Sequence, residues 1–249
     1  MTRRSLLVAM VLSALVLGGC ESNSATLLII QNQIPGDGCS VDSSGTGAYR
    51  TQGTLDVAWY LQKNQPAYYN LYPLIQNNLM STADPSAGTI EENCITIREA
   101  RVDLDLGDLG EYVESNLTKY SVPLSMTICP GEEKVVSVRV IPSQVVELIA
   151  DQISQGSSKL IIAKVHIVGS RGSHDLSSNS MSYPIFVCNG CLVKNLGLCS
   201  SDTIPSDPEE GNGCNPSQDD PIECCTQGAE LVCPAVAPTT TTDGSGTGT

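Results

Sequence analysis

Positive charge is scarce in this sequence. Thirteen Lys and Arg stand against 27 Asp and Glu, a formal net charge of −14, and none of the thirteen lies beyond Lys194. Nucleic acid is excluded as a partner on this ground, because phosphate binding needs a basic face. Nine acids follow Lys194, so the last 55 residues form an acidic segment whose main effect is solubility. Aromatics are nearly as few: one Trp, one Phe and eight Tyr. A core must therefore be built from Val, Ile and Leu, with covalent support. There is no G-x-S-x-G nucleophile elbow and no twelve-residue EF-hand loop. No apolar run reaches the roughly 20 residues that a membrane-spanning helix needs.

What is present is clearest at the start. Arg3 and Arg4 precede a short uncharged stretch, residues 5–17, with the size and flanks of a cleavable secretory signal. The stretch ends in Leu17-Gly18-Gly19-Cys20, a branched apolar residue, two small residues and a cysteine. This ending resembles the lipobox of bacterial lipoproteins. The resemblance covers only the first twenty residues, and an ordinary signal peptide with an incidental cysteine is the alternative. It implies a signal peptide over 1–19, a lipid on Cys20, and a mature chain that starts there. Three acyl chains, at about 0.8 kcal/mol per buried methylene, would make the anchoring effectively permanent. Glu21 stands where the sorting rule of enteric bacteria looks for aspartate, so the resemblance favours the outer over the inner membrane. Residues 20–25 are then a short lipidated tether.

Ten cysteines remain: Cys39, Cys94, Cys129, Cys188, Cys191, Cys199, Cys214, Cys224, Cys225 and Cys233. An even number in an exported chain points to disulfides, up to five of them. Cys39, Cys94 and Cys129 are an odd set, so at least one pairs further on or stays free. The simplest partition closes two bridges among the last four cysteines and three among the first six. Adjacent Cys224 and Cys225 then take different partners.

Residues 26–197 read mostly as strands. Candidates are 27–30, 54–62, 68–79, 94–106, 120–129, 135–141, 160–168 and 181–188, with loop over 35–47. The period of two is plainest where Val102, Leu104 and Leu106 alternate with Arg101, Asp103 and Asp105. One helix is expected after Pro142, capped by Ser143 and running to about Ser154, with Gly156 as its stop. The expected fold is mainly β: an antiparallel, immunoglobulin-like sandwich with one short helix. Residues 198–234 read as a small, acidic, disulfide-rich module, too short to bury a core of its own. Residues 235–249 are a flexible Thr/Gly-rich tail.

Four constellations carry candidate chemistry. Cys188 and Cys191 form a C-x-x-C, but no helix opens there and no fourth zinc ligand accompanies Cys199, so a structural disulfide is favoured over redox or metal. His166 shares the outward face of its strand with Lys164, and Ser173-His174-Asp175 are consecutive rather than convergent, so neither makes a catalytic site. Asp103, Asp105, Asp108 and Glu111 suggest calcium, yet read better as an exposed acidic face. Trp59, Tyr60, Tyr68, Tyr69 and Tyr72 hold half the aromatics; alternation sends about half of them inward, and the rest are a candidate binding surface.

The chain is thus expected to be a non-catalytic interaction or scaffold lipoprotein of the bacterial cell envelope, without metal or cofactor. Its expected partners are the membrane, through its lipid, and an envelope protein or glycan. A carbohydrate-binding or adhesin-type role is the alternative.

Overall fold

In the computed structural model of the protein, residues 26–84, 86–200 and 204–235 are described. The expected signal peptide, Cys20 and its tether, and all but the first residue of the expected tail lie outside the described residues. Fourteen strands are found among the described residues. They are β1 (Leu27–Asn32), β2 (Gly53–Asp56), β3 (Tyr69–Leu71), β4 (Pro73–Asn77), β5 (Ile95–Asp105), β6 (Lys119–Ile128) and β7 (Glu133–Val135). There follow β8 (Val138–Ile141), β9 (Ser158–Arg171), β10 (His174–Ser177), β11 (Met181–Cys188), β12 (Val193–Leu198), β13 (Ile222–Gln227) and β14 (Glu230–Val232). Three short helices accompany them: α1 (Ala58–Lys63), α2 (Ser115–Thr118) and α3 (Ser143–Ile149).

The largest sheet runs β2-β11-β9-β5-β6, with β10 folded back on β9. Its centre follows from the alternation in the sequence. Ile161, Ala163, Val165 and Ile167 of β9 are buried, while Lys164 stays exposed and His166 half-exposed. In β5, Ile95 and Ile97 face inward, a bulge between Ile97 and Glu99 shifts the phase, and Ala100, Val102 and Leu104 face inward again. Each Val, Ile or Leu side chain so buried contributes about 1.5–3 kcal/mol.

Three smaller sheets complete the body: β1-β4-β7, β3-β8 and β12-β13-β14. The protein is therefore mainly β, but not purely antiparallel, since β2 pairs with β11 and β12 with β13 in parallel.

Several segments depart from the expected strands, each for a local reason. The run 54–62 is a strand only to Asp56, whose carboxylate accepts the Ala58 amide at 2.9 Å and turns the chain into α1. Pro73, which lacks an amide hydrogen, divides 68–79 into β3 and β4, and these belong to different sheets. The run 135–141 is split between β7, which pairs with β4, and β8, which pairs with β3. Ser143 is the first residue of α3 rather than its cap, and the helix gives way to a 3-10 turn at Ala150–Gln152.

The ten described cysteines form five bridges: Cys39–Cys214, Cys94–Cys129, Cys188–Cys191, Cys199–Cys225 and Cys224–Cys233. Cys224 and Cys225 do take different partners. The expected partition fails, because only one bridge closes among the last four cysteines. Cys214 reaches back across residue 198 to Cys39, while Cys225 pairs with Cys199 within the segment. The segment after 198 is accordingly continuous with the body: β13 pairs with β12, and Ile222, Cys224 and Leu231 lie in the common core. Five disulfides belong to a protein that folds outside the cytoplasm, in an oxidising compartment.

Candidate functional site

Asp56 ends β2 with its carboxylate fully buried under the Cys188–Cys191 loop. Oδ1 accepts the amides of Ala58 at 2.9 Å and Gly190 at 2.8 Å, and Oδ2 those of Leu192 at 2.7 Å and Val193 at 2.9 Å. Asp56, Cys188 and Cys191 place their ligand-type atoms within 4.8 Å of one another. Their chemistry is already committed: the sulfurs are joined to each other, and each carboxylate oxygen receives two amide protons. The arrangement fixes a loop between β11 and β12.

A second anchor, largely but not fully buried, is Asp219, which adopts a left-handed backbone (φ +67°). Its oxygens accept the Thr54 amide at 2.9 Å, the Tyr69 hydroxyl at 2.9 and 3.0 Å, and the Gln218 side-chain amide at 3.0 Å, with Arg50 Nη1 at 3.4 Å. Burial pushes the Asp219 pKa up, against the pull of the Thr54 amide, Gln218 and Arg50. Burial, and then the Asp219 charge, push the Tyr69 phenol up strongly. Tyr183, whose ring lies 6.2 Å from that of Tyr69, is pushed up to about 12 by burial. Gln218 also exchanges hydrogen bonds with the backbone of Asn70, and Asn215 donates to Tyr68 O. This network fastens residues 212–220 onto β2 and β3.

A third built feature is the pair of arms 78–84 and 86–93, which the Glu91 carboxylate ties together. Glu91 accepts Ser81 Oγ at 2.6 Å, Thr82 Oγ1 at 2.8 Å, Thr82 N at 3.0 Å and Asn93 N at 2.7 Å. These bonds, that from Ser81 foremost, lower its pKa from 4.5 to about 2. Its folded pKa lies below the unfolded one, so its stabilisation is complete above pH 4.5 and is lost as pH falls towards 2. Hydrogen exchange should therefore show protection of the Thr82 and Asn93 amides falling over that window, and Glu91→Gln should remove the dependence. Unchanged protection down to pH 2 in the parent protein would contradict this role.

The residues singled out in the sequence do not converge. Among the five aromatics, Trp59 and Tyr69 are buried, while Tyr60, Tyr68 and Tyr72 are half-buried. The Arg139 guanidinium covers the Tyr68 ring, 4.1 Å from its centroid. The five thus form no single exposed face, because Trp59 sits on α1 rather than in a strand. Asp103 pairs with Lys119 at 3.1 Å, Asp108 with Lys159 at 3.3 Å, and Asp105 accepts the Gly107 amide. No calcium-type cluster arises from these acids. His174 is exposed, and Asp175 is taken by Arg98 at 2.7 Å.

Two open clefts flank these anchors. One, about 450 Å³, follows the Cys39–Cys214 bridge and the backbone at Gly36, Gly211 and Gly213. The other, about 420 Å³, lies over Asn32, Tyr49, Arg50 and Tyr183. In the second, Asn32 donates to Tyr183 and Arg50 is paired with Asp219 and Asp220, so its polar groups already serve the fold.

Sequence reasoning passed over Asp56, Asp219 and Glu91. Asp56 alone left a trace, as a single charge in the apolar run 54–62. No family model matches the chain, and no curated protein is similar to it. Among the described residues no helix is long and apolar enough to cross a membrane.

Proposed function

We propose that the protein is a bacterial lipoprotein, exported by residues 1–19, lipidated at Cys20, and acting in the cell envelope as a non-catalytic interaction or scaffold module. The observation that carries this reading is the pairing of all ten described cysteines, which requires the oxidising compartment to which such a leader delivers its cargo. The saturated partners of Asp56 and Asp219 support a structural role for the buried polar groups. The two-layer sandwich belongs to the same proposal and is supported by contact of β1 with β9 and of β8 with β5. Glu21 favours the outer membrane as the site of anchoring.

The reading is tested by cell fractionation. The parent protein should sediment with membranes and take up labelled palmitate, and Cys20→Ser should lose the label. A Cys20→Ser variant labelled as strongly as the parent would overturn the proposed anchor.

A further inference from the structure

We infer that the arms 78–84 and 86–93 touch the bilayer that holds the lipid anchor, with Met80 and Ile90 entering the headgroup region. The inference rests on the lipid-anchor reading above and adds to it which surface of the body faces the membrane.

The first observation is where the chain outside the described residues ends. Asn78 N donates to Thr26 O at 2.9 Å, and Leu27 opposes Asn77 in the β1–β4 ladder. The loop therefore springs from the point at which the tether enters the fold. Five residues, Glu21 to Ala25, separate Cys20 from Thr26, which makes six chain steps. At about 3.3–3.6 Å per extended residue, Thr26 cannot stand more than roughly 20 Å from the lipidated cysteine. Asn78 is held at the same place, and Met80 follows two residues later.

The second observation is what the loop displays. Met80 is 83% exposed and Ile90 77% exposed, the two highest exposures among the large apolar residues described. They lie on opposite arms, residues 78–84 and 86–93, and the arms are tied together. Asn93 Nδ2 donates to Met80 O at 2.7 Å, and Glu91 binds Ser81 and Thr82. Arg171 holds Asn93 Oδ1 at 2.9 Å, and the Cys94–Cys129 bridge closes the base. Met80 and Ile90 thus offer two exposed apolar side chains, on tied arms, beside the point where the anchored tether enters the fold. The bilayer within reach is an apolar partner of matching chemistry. The Glu91 carboxylate is held by hydroxyl and amide donors, and together with exposed Asp84 and Glu92 its charge favours zwitterionic over anionic lipid.

The test uses the full-length protein, purified from membranes and reconstituted into phosphatidylcholine vesicles that contain brominated phosphatidylcholine as quencher. Met80→Trp and Ile90→Trp each place an indole on one arm, and Tyr49→Trp places one at the far end of β1, where Tyr49 bridges Gln33. The native Trp59 is buried and serves as an internal reference. The inference expects emission from the indoles at 80 and 90 to be quenched and shifted to the blue, and that at 49 to be unchanged. Acylated, vesicle-bound protein whose indoles at 80 and 90 behave like that at 49 overturns the loop contact alone. An unacylated Cys20 overturns the anchor reading, and this inference with it.

Discussion

Replacing Asp56 by alanine is expected to lower stability by about 3–5 kcal/mol, the largest loss for any single carboxylate among the described residues. Four amides, those of Ala58, Gly190, Leu192 and Val193, converge on this side chain, which has no exposure to water. Each buried donor left without a partner costs about 1–3 kcal/mol, and local rearrangement recovers part of the sum. For a domain of this size each kcal/mol lowers the melting temperature by about 2–4 °C, so a fall of roughly 10 °C should be seen under oxidising conditions. Asp56→Asn keeps the shape but turns an NH2 group towards two amide hydrogens, so it should be destabilised too, by a smaller amount. The specific readout is hydrogen exchange at Gly190, Leu192 and Val193, which should accelerate ahead of global unfolding. A melting temperature unchanged in both variants would show that the loop between β11 and β12 holds itself.

Gly53→Ala is expected to cost about 3 kcal/mol although it adds one methyl group. An ideal Cβ at position 53 would stand 1.9 Å from the Tyr69 hydroxyl oxygen and 2.4 Å from Cζ. Tyr69 cannot yield cheaply, since it is fully buried and its hydroxyl is bound to Asp219. The ring must move, and the attachment of residues 212–220 weakens with it. The mechanism makes the cost conditional on the ring. In a Tyr69→Ala background, adding Gly53→Ala should cost little, a coupling that a double-mutant cycle reads directly. Additive losses in chemical denaturation would contradict the steric account.

These two positions show what the sequence could and could not reveal. Alternation in β5 and β9 was legible because one face of each strand is buried and the period of two follows from that alone. The bulge after Ile97 carries no signature, so the phase shift that brings Ala100 inward was not. The run 54–62 misled because a short apolar stretch suits strand and helix equally, and the turn at Asp56 decides between them. Tyr72-Pro73 looked like the middle of one strand because both flanks are apolar. The disulfide pairing could not follow from spacing. Cys39 and Cys214 lie 175 residues apart, and only the docking of 212–220 on β2 and β3 brings them together.

The carboxylate anchors are the least legible of all. Asp56, Asp219 and Glu91 each gather donors that the fold brings together, and a lone acid has no period to detect. The aromatics gave the opposite error. Their clustering in sequence suggested a surface, whereas α1 and β3 send Trp59 and Tyr69 into the core.

The lipid on Cys20 is the claim on which both the proposed function and the membrane-facing loop depend. Mass spectrometry of the N-terminal peptide, taken from protein purified out of bacterial membranes, tests it most directly. The account predicts a peptide that begins at Cys20 and carries the added mass of a diacylglyceryl group and an N-acyl chain. A peptide that begins elsewhere, or at Cys20 with no added mass, would contradict it.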